Sequence, residues 1–229
     1  MTPATAESVA EAPSAESLGV PESFADIARR LGDIPPNRII WLPHVATEDD
    51  VLRSASCEPK RLTELVDGLL VEKAMGQREG FLAASLIAFL MAHVRTNRLG
   101  VVGAPDTILR LKPGQTRLPN VSFTAWANLP TADAHLQRVG PYAPDLAVEI
   151  ISEGNTRAEL ARKRSEYFDA GTKRVWEIDP EARTVTVFTS VTDHTVFGTA
   201  DVLDGGSVVP GFRLPLAQLF DDPQLNPRA

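Results

Sequence analysis

The chain has 229 residues, a formal net charge of −7 and a single cysteine, Cys57. Its 43% hydrophobic and 23% charged residues are those of a protein that folds around a core. No run of 18 apolar residues marks a membrane span, one cysteine excludes an intrachain disulfide or a cysteine-cluster zinc site, and the acidic balance argues against coating nucleic acid by bulk charge.

Residues 1–22 hold Glu7, Glu11, Glu16 and Glu22, with no lysine, arginine or aromatic residue. They read as a disordered acidic tail ahead of one domain, residues 23–229. The N-terminus has neither the basic start nor the apolar stretch of a secretory signal. With the lone cysteine, this fits a reducing cytoplasm.

Ser23 to Gly32 reads as a short amphipathic helix, with Phe24, Ile27, Ala28 and Leu31 at helical spacing, stopped by Pro35-Pro36. Thr47 to Ser54 is a second short helix, with Thr47 as N-cap and Asp50 three residues on. Glu64 to Glu72 is a hairpin, because Asp67-Gly68 between apolar runs favours a tight primed turn. Glu64 at its entry reads as an ordinary exposed strand glutamate. Gln77 to Arg98 is the longest helix, with Phe81, Leu82, Leu86, Phe89, Leu90 and Val94 apolar, ending near Gly100.

Val101 to Leu111 and Leu118 to Trp126 read as extended runs around the turn Lys112 to Gln115, and residues 127–141 as a loop. Asp145 to Ile151 is a strand and Thr156 to Ala170 a helix. Arg174 to Asp179 and Thr184 to Ser190 are strands around Pro180, and Pro215 to Phe220 is a final short segment. Helices and strands in this order predict an α/β or α+β domain with a central mixed β-sheet flanked by helices.

The phosphate loop, the dinucleotide-binding glycine motif and the serine nucleophile elbow are all absent. His44, His93, His135 and His194 are isolated, so a histidine metal site lacks support. Chemistry must come from carboxylates, lysines and amides. Strand alternation puts Asp145, Ala147 and Glu149 on one face, the two carboxylates roughly 13 Å apart. Asn120, Ser122 and Thr124 share a face of the preceding run. If the two strands pair, these polar faces line a common pocket.

In the helix that follows, Thr156 and Glu159 form a capping box. Lys163 lies on the stripe of Leu160 and Tyr167 and so leans inward. It is either a snorkelling lysine or a charge partner of Glu149 that would stabilise a phosphate-like transition state. Arg162, Glu159, Glu166 and Asp169 lie more outward. Residues 157–174 carry six basic against three acidic residues, a solvated face or a surface for phosphates. Glu79 either points toward the sheet or caps its own helix, where the dipole favours a negative charge.

The stretches Glu64 to Gly68, Leu118 to Phe123, Ala143 to Ser152 and Lys163 to Tyr167, then Gly171 and Val175 to Pro180, occur in an order that resembles the Uma-two restriction-endonuclease family of the PD-(D/E)XK nuclease superfamily. The likeness spans roughly residues 47–220. It implies a restriction-endonuclease-like core and an acidic cluster that holds Mg²⁺ (or Mn²⁺) to activate water against a phosphodiester. Carried over residue by residue, the PD position falls on Pro119-Asn120 and the E-x-K glutamate on Glu149. The x-K position is Ile151, and the lysine comes instead from the next helix as Lys163. Glu79 takes the helix position that completes the metal site, and Asp145 lies near enough to compensate for Asn120. The family has aspartate where Asn120 stands. Asparagine keeps the shape and a carbonyl ligand but lacks the charge that Mg²⁺ prefers.

Three functions follow. The first is a Mg²⁺-dependent endonuclease with DNA as substrate, using Glu149, Lys163, Asn120 and Asp145, with Glu79 as a further metal ligand. The second is a nuclease-fold protein with impaired catalysis that binds nucleic acid or protein. The third is a structural homodimer without nucleic-acid contact.

Overall fold

The computed structural model describes residues 23–221, so the acidic segment 1–22 lies outside the described residues. Ser23 caps α1 (Phe24–Arg30) through a reciprocal pair of hydrogen bonds with Asp26, and Thr47 and Asp50 do the same for α2 (Glu48–Ser54). Asp67 and Gly68 both adopt positive φ, 49° and 75°. They close the hairpin of β2 (Thr63–Val66) and β3 (Leu69–Glu72) with the primed turn its sequence calls for.

Two large sheets form the body. One has five strands in the order β1 (Ile39–Ile40), β3, β2, β6 (Gln115–Arg117), β5 (Leu109–Lys112), all antiparallel. The other has six, in the order β11 (His194–Phe197), β10 (Thr184–Phe188), β9 (Arg174–Asp179), β8 (Leu146–Ile150), β7 (Val121–Ala125), β4 (Gly100–Gly103). Only β8 and β9 run parallel, joined by α4 (Arg157–Asp169) as a crossover helix. A short pair, β12 (Val202–Asp204) with β13 (Arg213–Pro215), precedes α5 (Leu216–Phe220).

The stretch 101–111 is not one extended run. It divides into β4 and β5, which belong to different sheets. Likewise the run from 118 begins as the connection between β6 and β7. The chain thus crosses from one sheet to the other twice within 25 residues, and this crossing builds the site.

The long helix α3 (Gln77–Asn97) has the mean hydropathy, 1.2, and the length of a membrane span. One face of it is buried on the six-stranded sheet. Leu82, Leu86, Leu90 and Val94 pack with Val121, Phe123, Val148, Ile150 and Trp176, joined by Phe212, Leu216 and Leu219 of the C-terminal segment. Phe81, expected in that apolar set, is exposed. The opposite face of the sheet carries the polar positions of β7 and β8 and receives α4 and the five-stranded sheet.

Candidate active site

Register decides which groups meet. Ser122 pairs with Ala147 in the antiparallel β7–β8 ladder, so Asn120, Ser122, Ala147 and Glu149 share one face, as strand alternation predicts. Thr156 accepts a hydrogen bond from the Glu159 backbone and fixes the start of α4. From that start Leu160, Lys163 and Tyr167 turn inward.

Lys163 is 2% exposed, and its ammonium lies between two carboxylates. It donates to Glu64 Oε1 at 3.1 Å and to Glu149 Oε2 at 3.5 Å. Tyr167 Oη donates to Glu149 Oε1 at 2.7 Å. Lys163 is therefore a charge partner and not a snorkelling lysine. Burial pushes its pKa down, but Glu149 and Glu64 outweigh burial and raise it.

Glu64 corrects the expectation of an exposed strand glutamate, since it is fully buried. Its Oε1 also accepts from the Leu118 backbone at 3.0 Å, and its Oε2 from Arg117 Nη1 at 2.7 Å. Burial raises its pKa, but Lys163 and then Arg117 more than reverse this and hold it at about 2. Arg117 also binds Glu166, and Arg38 binds Glu159 through two hydrogen bonds of 2.9 and 2.7 Å. Glu159 and Glu166 are thus turned into the fold, contrary to the outward placement expected of them. Arg162 pairs with Asp67 and Glu166, and Arg164 with Glu177. The basic stretch of α4 is largely spent on internal ion pairs and is not a free phosphate surface.

Lys73, which follows β3, was missed by sequence reasoning. It is 8% exposed and its ammonium donates to the Pro105 carbonyl at 3.0 Å. Burial lowers its pKa to about 8, although the Glu149 carboxylate works against that. Its sequence neighbourhood offers no motif. Arg117 was missed for the same reason.

The other expected site residues lie elsewhere. Asp145, at the opposite end of β8, is held by the Ala125 backbone at 2.8 Å, the Asn128 amide at 2.7 Å and the Lys173 ammonium at 2.8 Å. It does not join Glu149. Glu79 curls back over Gly76, the N-cap of its own helix. Its carboxylate sits where the dipole favours it, on the wall of an open cleft of about 820 Å³. That cleft reaches the buried cluster at Lys73 and Arg38.

The donor set does not fit a divalent cation. Asn120 Oδ1 accepts from the Ile150 backbone at 2.9 Å, and its Nδ2 is buried with no partner. The amide oxygen is thus engaged by the backbone, and the edge left without a partner is the NH₂, which cannot ligate a cation. Among the described residues no three His, Cys, Asp or Glu side chains converge on one point. Glu64 and Glu149 are already neutralised by Lys163 and Arg117. What the arrangement does supply is a cluster of fixed charges from both sheets and α4 beside a cleft.

The fold matches the crystal structure of a putative nuclease belonging to DUF820 from Anabaena variabilis ATCC 29413, with a TM-score of 0.66 and 21% identity. The match covers 77% of this chain and 98% of that one. No curated protein matches the chain. The model of the Uma2 family, described as a putative restriction endonuclease, matches residues 49–217, and the chain belongs to that family.

Proposed function

We propose that this chain is a nucleic-acid-binding protein of the nuclease fold, with DNA as its partner, in which metal-assisted phosphodiester hydrolysis is impaired at Asn120. The Asn120 amide carries the reading. An aspartate there would keep the hydrogen bond from Ile150 N–H through one oxygen and leave the other for a cation. Asparagine leaves an NH₂ at that place, buried and unpartnered, and a hard cation such as Mg²⁺ needs oxygen ligands.

A second reading, an endonuclease active with Mg²⁺ or Mn²⁺, is favoured by the convergence of Glu64, Glu149 and Lys163 on one buried point. Four charged or amide groups drawn from β2, the β6–β7 connection, β8 and α4 are costly to bury, and such clusters concentrate at functional sites.

Nicking of supercoiled plasmid and gel retardation at low salt separate the two. The proposal expects the wild type to retard DNA without nicking it in either metal. Asn120→Asp should gain metal-dependent nicking that disappears when Glu149→Ala is added. Wild-type nicking that is lost in Glu149→Ala would establish the second reading instead. A wild type that neither binds nor cuts would overturn the nucleic-acid assignment.

A further inference from the structure

A second cavity, of about 350 Å³, opens at the far end of the β4–β7 ladder, away from Glu149. Its size lies within the range of small-ligand sites, about 300–1,000 Å³. Its walls come from β4 and β7, from Arg95 in the last turns of α3, from Trp126 just after β7, and from His135 and Tyr142 in the loop before β8.

The chemistry of the lining is unlike that of the rest of the molecule. The chain carries a net charge of −7, yet among the described residues no carboxylate lines this cavity, and Arg95 does. Among the described residues Arg95 has no carboxylate partner. Ser122 and Thr124, buried to within 3% and 2% of full exclusion, turn their side chains to this face of the sheet, and Thr107 stands beside them. None of the three hydroxyls has a protein partner among the described residues. His135 Nδ1 is buried and unpaired as well. Hydroxyls without a protein partner that line a cavity are free to donate to, and accept from, a ligand that fills it.

The floor is kept open by glycine. Gly103 pairs with Ser122, and a Cβ on it would collide with Ser122 Oγ and lie 3.0 Å from Thr107 Oγ1. The upper wall is aromatic. Trp126 is 47% exposed and meets His135 edge to face, with ring centroids 5.4 Å apart. Tyr142 lines the same space, and its pKa is raised by burial, so its hydroxyl remains a donor.

We propose that this cavity binds a nucleoside monophosphate. An exposed indole offers a face for a heteroaromatic base, the cluster of free hydroxyls matches the donors and acceptors of a sugar, and an unpaired guanidinium suits a phosphate. A bare anion would leave the aromatic wall unused. A neutral aromatic ligand would leave Arg95 and the hydroxyls unsatisfied.

Calorimetric titration with deoxyadenosine monophosphate, deoxyadenosine and inorganic phosphate tests this. The monophosphate should bind more tightly than either fragment. Arg95→Ala should weaken the monophosphate about ten-fold and leave deoxyadenosine unchanged. Gly103→Ala should weaken both by filling the floor. Glu149→Gln, which keeps the shape of that side chain, should leave the monophosphate affinity unchanged, which separates this site from the nucleic-acid cleft whether or not that proposal stands. Absence of heat from all three probes with the wild type, or equal affinity for phosphate and the monophosphate, would overturn the assignment. An unchanged monophosphate affinity in Arg95→Ala, with an unchanged melting curve, would do so too.

Discussion

Two buried lysines stand beside the same carboxylates and bear opposite signs of energy. Lys163 faces Glu64 and Glu149 at hydrogen-bonding distance, and its pKa is raised. Removing it leaves two buried carboxylates short of a partner. Lys163→Met should therefore destabilise the protein by about 3–5 kcal/mol, the loss seen when one member of a buried ion pair is removed. Lys73 has one neutral carbonyl as its hydrogen-bond partner, and burial holds its pKa at about 8 against 10.5 for the free side chain. The native state then binds fewer protons than the unfolded state between pH 8 and 10.5. Stability should rise with pH across that window. At neutral pH the charged Lys73 acts against folding by up to about 3 kcal/mol. Lys73→Met should accordingly raise stability at pH 7, with the gain gone by pH 11. Guanidinium unfolding of both variants at the two pH values checks this pair of signs. A stability loss in Lys73→Met at pH 7 would show that its attraction to Glu149 exceeds the cost of burying the ammonium.

At the scale of elements, α4 is the part that aims the site, and its seat depends on Gly32. This glycine has φ of 95°, and a Cβ on it would lie 2.7 Å from the Glu159 backbone. The Gly32 carbonyl also accepts a hydrogen bond from the Thr156 hydroxyl. Gly32→Ala forces both an unfavourable backbone conformation, about 1–3 kcal/mol, and a displacement of the first turn of α4. The expected result is a loss of at least that size and, on the proposed function, weakened DNA binding. Thr156→Ala removes the cap and the hydrogen bond to the Gly32 carbonyl without straining the backbone, and about 1–2 kcal/mol is expected. Thermal unfolding of the two variants should rank them in that order. The placement of Glu149, Asn120 and Lys163 was legible in the chain because each depends on local rules: strand alternation, the N-cap at Thr156, and the helical stripe of Leu160, Lys163 and Tyr167. The reciprocal half of the expected capping box is not formed, because the Glu159 carboxylate is taken by Arg38 and Asn155. Glu64, Arg117 and Lys73 depend on the five-stranded sheet folding over the six-stranded one. Local periodicity carries no information about that. The same limit explains Asp145. Its face was read correctly, but its partners, Asn128 and Lys173, come from a loop and a turn whose course has no period.

At the scale of the whole molecule, the ion network is what joins the two sheets around α4. Glu64 and Arg117 belong to the five-stranded sheet, Glu149 to the six-stranded one, and Lys163, Glu166 and Tyr167 to α4. A junction built from charge has a pH limit that an apolar one lacks. Glu64 is held at about 2 in the fold against an ordinary value of 4.5, and Glu159, which ties α4 to Arg38, is also lowered. A depressed carboxyl stabilises the fold above its unfolded pKa and loses that contribution as the pH falls toward its folded value. For Glu64 the window runs from pH 4.5 to 2, and the loss is about 3 kcal/mol. Against a typical total of about 5–15 kcal/mol, the sheets should part there before the apolar packing around α3 fails. Urea unfolding between pH 5 and 2, with hydrogen exchange on β2, β6 and α4, follows the event. Amides of these elements should lose protection ahead of β7, β8 and α3. Glu64→Gln should remove most of the acid dependence and start from a lower stability at pH 7, because it leaves Lys163 and Arg117 with less compensation. If Glu64→Gln kept the wild-type slope, the junction would be held by its apolar contacts, and the charges would have no part in joining the sheets.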